Sequence, residues 1–442
     1  MSNNNLKKEK SFSNPPHPLS QGEIKQDFPI IQNNPGLIYL DNTASVQKPK
    51  KVIDEISRFL SYDYSNIHRG SYSLAERSEH IYEESKKVVA HNIGALDWRE
   101  IVYTANSNYA LNLLAGSLKR SWFLKAGDVV LVSIVEHHAN IVPWLILKEE
   151  IGIEIKYIQV KEDYSLDFED LESKLDKRVK VVSLTHVSNV TGEIFDLERV
   201  GKILKDRFLP SQEWQNSKPL FVVDASQSIP HFQVDVQKIG CDFLFFTGHK
   251  VMADSGIGVL WGKKEIFENL KPIFSGGGAI RKVEEDCFLS APLPDRFEIG
   301  TPNVTWAASL LTAFRYIESI WGYLKVQEIE DELVRYTLEH LQITNTKLQE
   351  RNLPQIQIIW SEKISHRVGV FSFIVEEIHS LDIADYMADN NICIRAGQHC
   401  AEPFLTSKNL HHTCRMSLYI YNTKEDIDSF FEVLARAIEE LK

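Results

Sequence analysis

Leu220-Phe221-Val222-Val223-Asp224-Ala225-Ser226-Gln227 is an apolar run that stops at an acid and continues into small polar residues. A strand buried on both faces reads this way at its carboxyl end, because helices cover both sides of a parallel sheet and polarity returns only where the chain turns outward. Phe243-Leu244-Phe245-Phe246, followed by Thr247-Gly248-His249-Lys250, repeats the pattern. Further buried strands are expected at 129–134, 153–160 and 179–184, with 257–261 returning along the sheet. Helical patterns fill the intervals at 111–118, 141–150, 168–175 and 197–208. Strand and helix in alternation predict an α/β fold, a doubly wound large domain with a mainly parallel sheet. A long helix over 326–350, a strand over 368–375 and a helix over 425–441 predict a smaller C-terminal α/β domain.

In open α/β sheets ligands collect at the carboxyl ends of the strands, which is where Asp224 and Lys250 fall. A lysine in a polar turn otherwise serves as a solvated charge or a helix cap. Here the amine after one buried strand and the acid at the end of another suit covalent carbonyl chemistry. A pyridoxal phosphate site needs a carboxylate against the pyridinium nitrogen, which Asp224 supplies, and a Schiff-base lysine, which Lys250 supplies. Gln227 is placed to meet the ring's phenolic oxygen, and Thr247 or His249 to reach the phosphate. The turn 104–109 precedes an apolar helix expected from about Leu111, so Ser107 and Asn108 can hold a phosphate at a helix N-terminus.

Seven motifs in order carry a resemblance: Tyr39-Leu40-Asp41-Asn42-Thr43-Ala44-Ser45, Ile67-His68-Arg69-Gly70, Glu136-His137-His138-Ala139-Asn140, Thr185-His186-Val187-Ser188-Asn189, Thr247-Gly248-His249-Lys250, Gly300-Thr301-Pro302-Asn303 and Arg395-Ala396-Gly397-Gln398-His399-Cys400-Ala401. From about Gly22 to the C-terminus the chain resembles the class V aminotransferase family of fold-type I pyridoxal phosphate enzymes. Within it, the chain is most similar to the SufS/CsdA-like group II cysteine desulfurases and selenocysteine lyases. The resemblance implies that His137 stacks on the cofactor ring and that Asn189 sits near the ring oxygen and the substrate. It implies that Arg415 binds the substrate carboxylate, with Arg395 and His68 beside the substrate. It also implies a homodimer in which Thr301 of one subunit approaches the phosphate of the other's cofactor, and a SufE- or SufU-like sulfur acceptor.

Cys400 decides the subclass. In the desulfurase pattern a loop cysteine attacks the sulfur of L-cysteine and keeps it as a persulfide, so it must be reachable and partly thiolate. His399 and Arg395 are expected to favour that thiolate, whereas Cys241, Cys393 and Cys414 read as buried small apolar residues and Cys287 as a loop residue. Arginine suits the carboxylate role because its planar fork makes two parallel hydrogen bonds.

Three positions depart from the resembling family. Asn106-Ser107-Asn108-Tyr109 stands in place of Gly-Thr-Thr-Glu, Asp254 adds an acid after the lysine, and Thr43 replaces a small alanine near the substrate. They motivate alternatives that keep the cofactor: selenocysteine lyase, C-S lyase, epimerase or aminotransferase. A non-enzymatic reading takes His399, Cys400, His411, His412 and Cys414 as metal ligands, but the pairs lack tight ligand spacing and no metal site is expected.

The 442 residues carry a formal net charge of -12, with 43% hydrophobic residues. The acidic balance without a basic stripe speaks against a nucleic-acid or anionic-membrane surface. Five cysteines without framework spacing predict a reducing compartment, the cytoplasm by default. Residues 1–21 read as a disordered extension without a signal-peptide core, 22–305 as the large domain, with 22–34 packing on the small one, and 306–442 as the small domain bearing the cysteine loop. The polar stretch 207–219 reads as a surface insertion.

Overall fold

The computed structural model describes residues 19–208, 218–359 and 366–442; residues 1–18 of the expected tail and 209–217 of the expected insertion lie outside them. A helix over Gln21–Gln26 takes in the last residue of the expected extension, and Ser20 caps it through a reciprocal pair of bonds with Glu23.

A short strand, β1 (Ile38–Tyr39), precedes the large sheet. Seven strands build that sheet: β2 (Ile101–Thr104), β3 (Val129–Ser133), β4 (Glu154–Ile158), β5 (Val179–Thr185), β6 (Leu220–Asp224), β7 (Phe243–Thr247) and β8 (Gly258–Gly262). Their order is β2-β8-β7-β6-β5-β3-β4, and β8 alone runs antiparallel to its neighbours. Alternate side chains divide the sheet's two faces between two apolar clusters, as a period of two requires. Val223, Leu244, Phe246 and Trp261 enter one cluster, and Val222, Phe243, Phe245 and Leu260 the other. The stretch 153–160, expected as a buried strand, is instead the sheet's edge; in β4 only Ile158 is buried, because β3 is its one strand neighbour among the described residues.

A hairpin of β9 (Ile280–Val283) and β10 (Phe288–Ser290) follows, with Cys287 exposed beside it. The helix Val304–Ser319 packs against the helices Lys50–Tyr62 and Ser73–Asn92. The expected division at 305/306 falls within this helix, which the long helix Gly322–Glu350 follows.

The smaller unit is a four-stranded antiparallel sheet, β11 (Ile356–Ile358), β12 (Val370–Val375), β14 (Arg395–Gly397) and β15 (Thr413–Ser417), in the order β11-β12-β15-β14. Between β12 and β14, β13 (Ile392–Cys393) pairs in parallel with β1, and Asp41 bridges to Ser417, so the chain's beginning is laced into its end. Lys25 Nζ meets Asp426 Oδ1 at 2.7 Å and Phe28 packs on Tyr421 at 4.5 Å between ring centroids. The first apolar cluster continues through Phe371 and Leu434. A shared core fixes the two units against each other, and with them the cleft between.

Candidate active site

The carboxyl ends of β5, β6 and β7 open into the cleft between the units, where Thr185, Asp224, Thr247 and Lys250 face Cys400 and Arg415 of the smaller unit. The sequence folds this way because the apolar runs end in step. Thr185 stands in register with Asp224, and Asp224 with Phe245, so β5 and β6 end level and β7 carries Thr247 two residues further into the cleft.

Asp224 is buried and accepts the backbone N–H of Ser226 at 2.9 Å. Burial pushes its pKa above the ordinary carboxylate value, while Ser226 and the charge of Lys250 pull it back. A cation presented to Asp224 would relieve that burial cost. Lys250 sits in a tight turn after β7. Its pKa falls to about 8, chiefly through burial, against which Asp224 works. An amine so tuned is substantially neutral just above pH 8 and can attack a carbonyl.

His137 lines the same cleft and its Nδ1 accepts the backbone N–H of Ala139 at 3.0 Å, which leaves the proton on Nε2. Burial first, then Lys250, lowers its pKa to about 3, so the ring is a neutral, flat apolar face. Beneath it Glu136 accepts from Ser133 Oγ at 2.5 Å, Thr185 N at 2.9 Å and Asn140 Nδ2 at 2.7 Å, fixing the turn that carries the imidazole. His138 pairs with Glu402 at 3.4 Å and its backbone N–H reaches Cys400 O at 2.8 Å, tying this turn to the cysteine loop.

Ser107 and Asn108 open the helix Ser107–Arg120, which starts earlier than expected because Asn106 caps it, accepting from Tyr109 N at 3.1 Å. Their free N–H groups and the helix dipole form an anion site. Thr247 Oγ1 and Thr43 Oγ1, both buried at the cleft, have no hydrogen-bond partner among the described residues. His249 is held neutral, its pKa lowered to about 4 by burial. Anion cradle, orphaned hydroxyls, flat imidazole, buried acid and reactive amine together fit pyridoxal phosphate.

Several expected roles change. Asn189 donates Nδ2 to His399 O at 2.7 Å, so in this state it braces the cysteine loop. Gln227 donates Nε2 to Thr43 O at 2.9 Å, leaving its second amide proton for a ligand. His399 does not supply a positive charge to Cys400: burial drives its pKa to about 2, and its Nε2 bonds Thr413 Oγ1 at 2.8 Å. The charges that act on Cys400 are those of Lys250, Arg395 and Arg415. Asp254 lies off the cleft, bonding Ser255 N at 2.7 Å and facing Lys48. Cys393 is half-buried, not buried.

His68 and Thr301 do not enter the cleft of their own chain. His68 meets the Tyr82 ring edge-on at 6.5 Å, and Thr301 borders the same apolar groove as Tyr82. Cys414 is buried with Sγ on Ser380 O at 3.2 Å, away from any shared site with Cys400. Among the described residues no three of His, Cys, Asp or Glu gather as metal ligands.

Cys400 itself is exposed at the cleft's rim. It and His399 both adopt left-handed backbone, with φ of 55° and 53°. Such conformations cost non-glycine residues roughly 1–2 kcal/mol each and persist where surrounding bonds enforce them. The bonds to His399 O and Cys400 O do so here and present the thiol to the cleft.

Missed by the sequence reading is Asp41, which accepts Arg395 Nε at 3.2 Å and Nη2 at 3.0 Å on Oδ2, and Arg415 Nη2 at 3.4 Å on Oδ1. Arg395 is therefore engaged by the protein's own carboxylate. Asp41 lay within a quoted motif, but its signal is tertiary, since its partners are more than 350 positions away.

Two-unit architecture and cleft together define a pyridoxal phosphate fold-type I enzyme. The profile described as "Aminotransferase class-V" matches residues 38–430, and the chain belongs to that family, whose members work with pyridoxal phosphate. A probable cysteine desulfurase of Synechocystis sp. is 36% identical over 95% of this chain and 96% of its own length. A probable cysteine desulfurase of Pyrococcus abyssi is 36% identical over 95% and 98%. Among solved structures, the apo cysteine desulfurase of Thermococcus onnurineus superposes with a TM-score of 0.85 at 36% identity, covering 95% of this chain and 98% of that one. The cysteine desulfurase CsdA of Escherichia coli gives 0.83 at 29% identity, covering 96% and 100%.

Proposed function

We propose that this protein is a cysteine desulfurase that converts L-cysteine to L-alanine and retains the sulfur as a persulfide on Cys400. The observation that carries this reading is the exposed Cys400 thiol held on the rim of a cleft whose floor is Lys250 and Asp224. The relatives and solved structures of the same length bear the same name.

Pyridoxal phosphate, when bound, supplies an electron sink for charge developed at the substrate's α-carbon. Ser107, Asn108 and Thr247 would hold its phosphate, Asp224 its ring nitrogen, Gln227 its phenolic oxygen and His137 one ring face. Arg415 binds the substrate carboxylate: its Nη1 is fixed by Asn189 O at 3.0 Å, while its Nε is buried without a partner and open to a ligand. Lys250, once its amine is free, removes the α-proton and later returns a proton to the carbon skeleton. The Cys400 thiolate attacks the substrate sulfur; the S–S bond forms as the Cβ–S bond breaks, and Cβ takes up the proton. L-Cysteine and one thiol thus give L-alanine and one persulfide, with no external oxidant.

Apoprotein should take up pyridoxal phosphate faster as pH rises through about 8, because attack requires the neutral amine of Lys250 and burial has moved its pKa to that point. Stopped-flow absorbance between pH 6.5 and 9.5 checks this. A rate that falls over that window contradicts the role of Lys250.

The reaction is tested by incubating purified holoenzyme with L-cysteine and a reductant and measuring alanine, pyruvate and sulfide separately. Alanine and sulfide in equal amounts are expected; pyruvate in place of alanine would make the protein a C-S lyase. The reading includes a homodimer, supported by the apolar groove that exposes Tyr109, Phe274 and Ile299 between His68 and Thr301. A second copy would cover it and carry those two residues toward its partner's cleft. The exposed Cys400 suits hand-over to a SufE- or SufU-like acceptor. No described helix is long and apolar enough to cross a membrane. The reading includes a reducing, cytoplasmic setting, in keeping with five cysteines that stand unpaired.

A further inference from the structure

Thr43 stands where the family has a small alanine, and no step of the proposed reaction uses its hydroxyl. The two units are tied together at this residue. Its backbone N–H donates to Ser417 Oγ at 2.9 Å, and its carbonyl accepts Gln227 Nε2 at 2.9 Å. The first bond holds it to β15 and the second to the turn after β6, so its backbone is fixed from both sides of the cleft. The side chain lines the cleft, and its Oγ1 is buried without a hydrogen-bond partner among the described residues. Buried hydroxyls are rarely left so, since the group gives up its bonds to water and gains none in return. A bond that the free protein lacks is one that a ligand can supply.

The nature of that ligand follows from β15. Side chains two positions apart on a strand share a face, and Arg415 and Ser417 are such a pair. Cys414 and Met416 turn the other way, into the apolar core. Thr43, held on Ser417 Oγ, therefore stands on the face from which Arg415 enters the cleft. Arg415 Nη1 is engaged by Asn189 O at 3.0 Å, while its Nε is buried and unpartnered. An open guanidinium edge and an unpartnered hydroxyl on one face offer two donors to one carboxylate, whose oxygens can accept both. We propose that Thr43 is a substrate-binding residue whose hydroxyl donates to the α-carboxylate of the amino acid held by Arg415. This deepens the cysteine desulfurase reading and rests on it for the role of Arg415. An alanine at this position makes no such bond, so the departure strengthens the hold of this chain on the carboxylate, whatever the side chain of the amino acid.

The test compares L-alanine with ethylamine, the same amine without its carboxylate, each titrated into holoenzyme and followed by the cofactor's absorbance. Thr43→Val keeps the shape and loses the hydroxyl, and Thr43→Ala installs the family's residue. In both, alanine should bind about tenfold more weakly relative to ethylamine, the worth of one hydrogen bond to a charged group. Thr43→Ser keeps the hydroxyl and should hold the native ratio within about threefold. The KM for L-cysteine should rise by a similar factor with kcat nearly unchanged, because the bond is made equally before and during the reaction. An unchanged ratio in either Thr43→Val or Thr43→Ala overturns the proposal. Equal weakening of both ligands, or faster loss of pyridoxal phosphate, overturns it as well and gives the hydroxyl to the cofactor. Alanine release from L-cysteine by the unaltered enzyme is measured alongside: its absence sinks the desulfurase reading, while the alanine-to-ethylamine ratio still judges Thr43.

Discussion

Lys250→Ala holoenzyme is expected to lose alanine formation from L-cysteine by on the order of 10⁴-fold, the largest effect of any single change in this chain. Lys250 is the only lysine lining the cleft among the described residues, so no neighbouring amine can substitute for it. Its loss removes two functions at once: the nucleophile that fixes the cofactor covalently and the base that moves the α-proton. The strand that carries it does not depend on it, because β7 is buried through Phe243–Thr247 and packs on both of its neighbours. Thermal unfolding close to that of the unaltered protein is therefore expected. Borohydride treatment with pyridoxal phosphate, which labels the native chain at Lys250, should leave the variant unlabelled at that peptide. Alanine release within tenfold of normal would show that the amine is not the reacting group.

Cys400→Ser should separate sulfur chemistry from cofactor chemistry. The loop around Cys400 is held by backbone bonds, from Asn189 to His399 O and from His138 to Cys400 O, and the thiol itself carries no structural bond among the described residues. Fold, absorbance and borohydride labelling at Lys250 should stay as in the native protein. A serine hydroxyl is scarcely ionised near neutral pH and attacks sulfur poorly, so alanine release should fall by about 10³-fold or more and persulfide on the protein should vanish. Thiol-reactive labelling followed by mass spectrometry reads the persulfide directly. Retained alanine release with a silent Cys400 peptide would move the nucleophile elsewhere. Among the other cysteines, Cys241 and Cys414 are buried, Cys287 lies by the outer hairpin, and the half-buried Cys393 is paired with Tyr39 in β13 and does not line the cleft, so none is placed to replace it.

The parallel strands were legible because each is a short unbroken apolar run, the mark of burial on both faces. Leu220–Asp224 was read with its ends in place, with Asp224 as the first polar residue of that run and Lys250 in the polar turn after a second one. The edge strand β4 was misread as buried because its alternation of Ile and Tyr does not report whether a further strand or helix lies beyond it. The short strand β2, four residues long, gave too little pattern to register. The helix Val304–Ser319 was overlooked because twelve of its sixteen residues are buried, and a helix apolar on nearly all sides shows little amphipathic period.

Charge states were less legible than identities. His399 stands next to Cys400 in the chain and was read as an electrostatic helper, yet burial and a bond to Thr413 keep it neutral. Proximity in sequence did not reveal that its ring turns inward.

The order of polar and apolar residues along the chain was enough to specify the α/β class and the lysine and acid at the strand ends, since these depend on local pattern and on residue chemistry, while the loop cysteine was legible through its motif's resemblance to a known family. Folding alone decided which charges meet. Asp41 reaches Arg395 and Arg415 only because β1 joins β13 and the chain's beginning closes on its end. His68 and Thr301 stay outside their own cleft because one packs on the Tyr82 ring and the other borders the apolar groove that Tyr82 also lines. Electrostatic energies depend on distance and burial in space, and neither is a property of sequence neighbours.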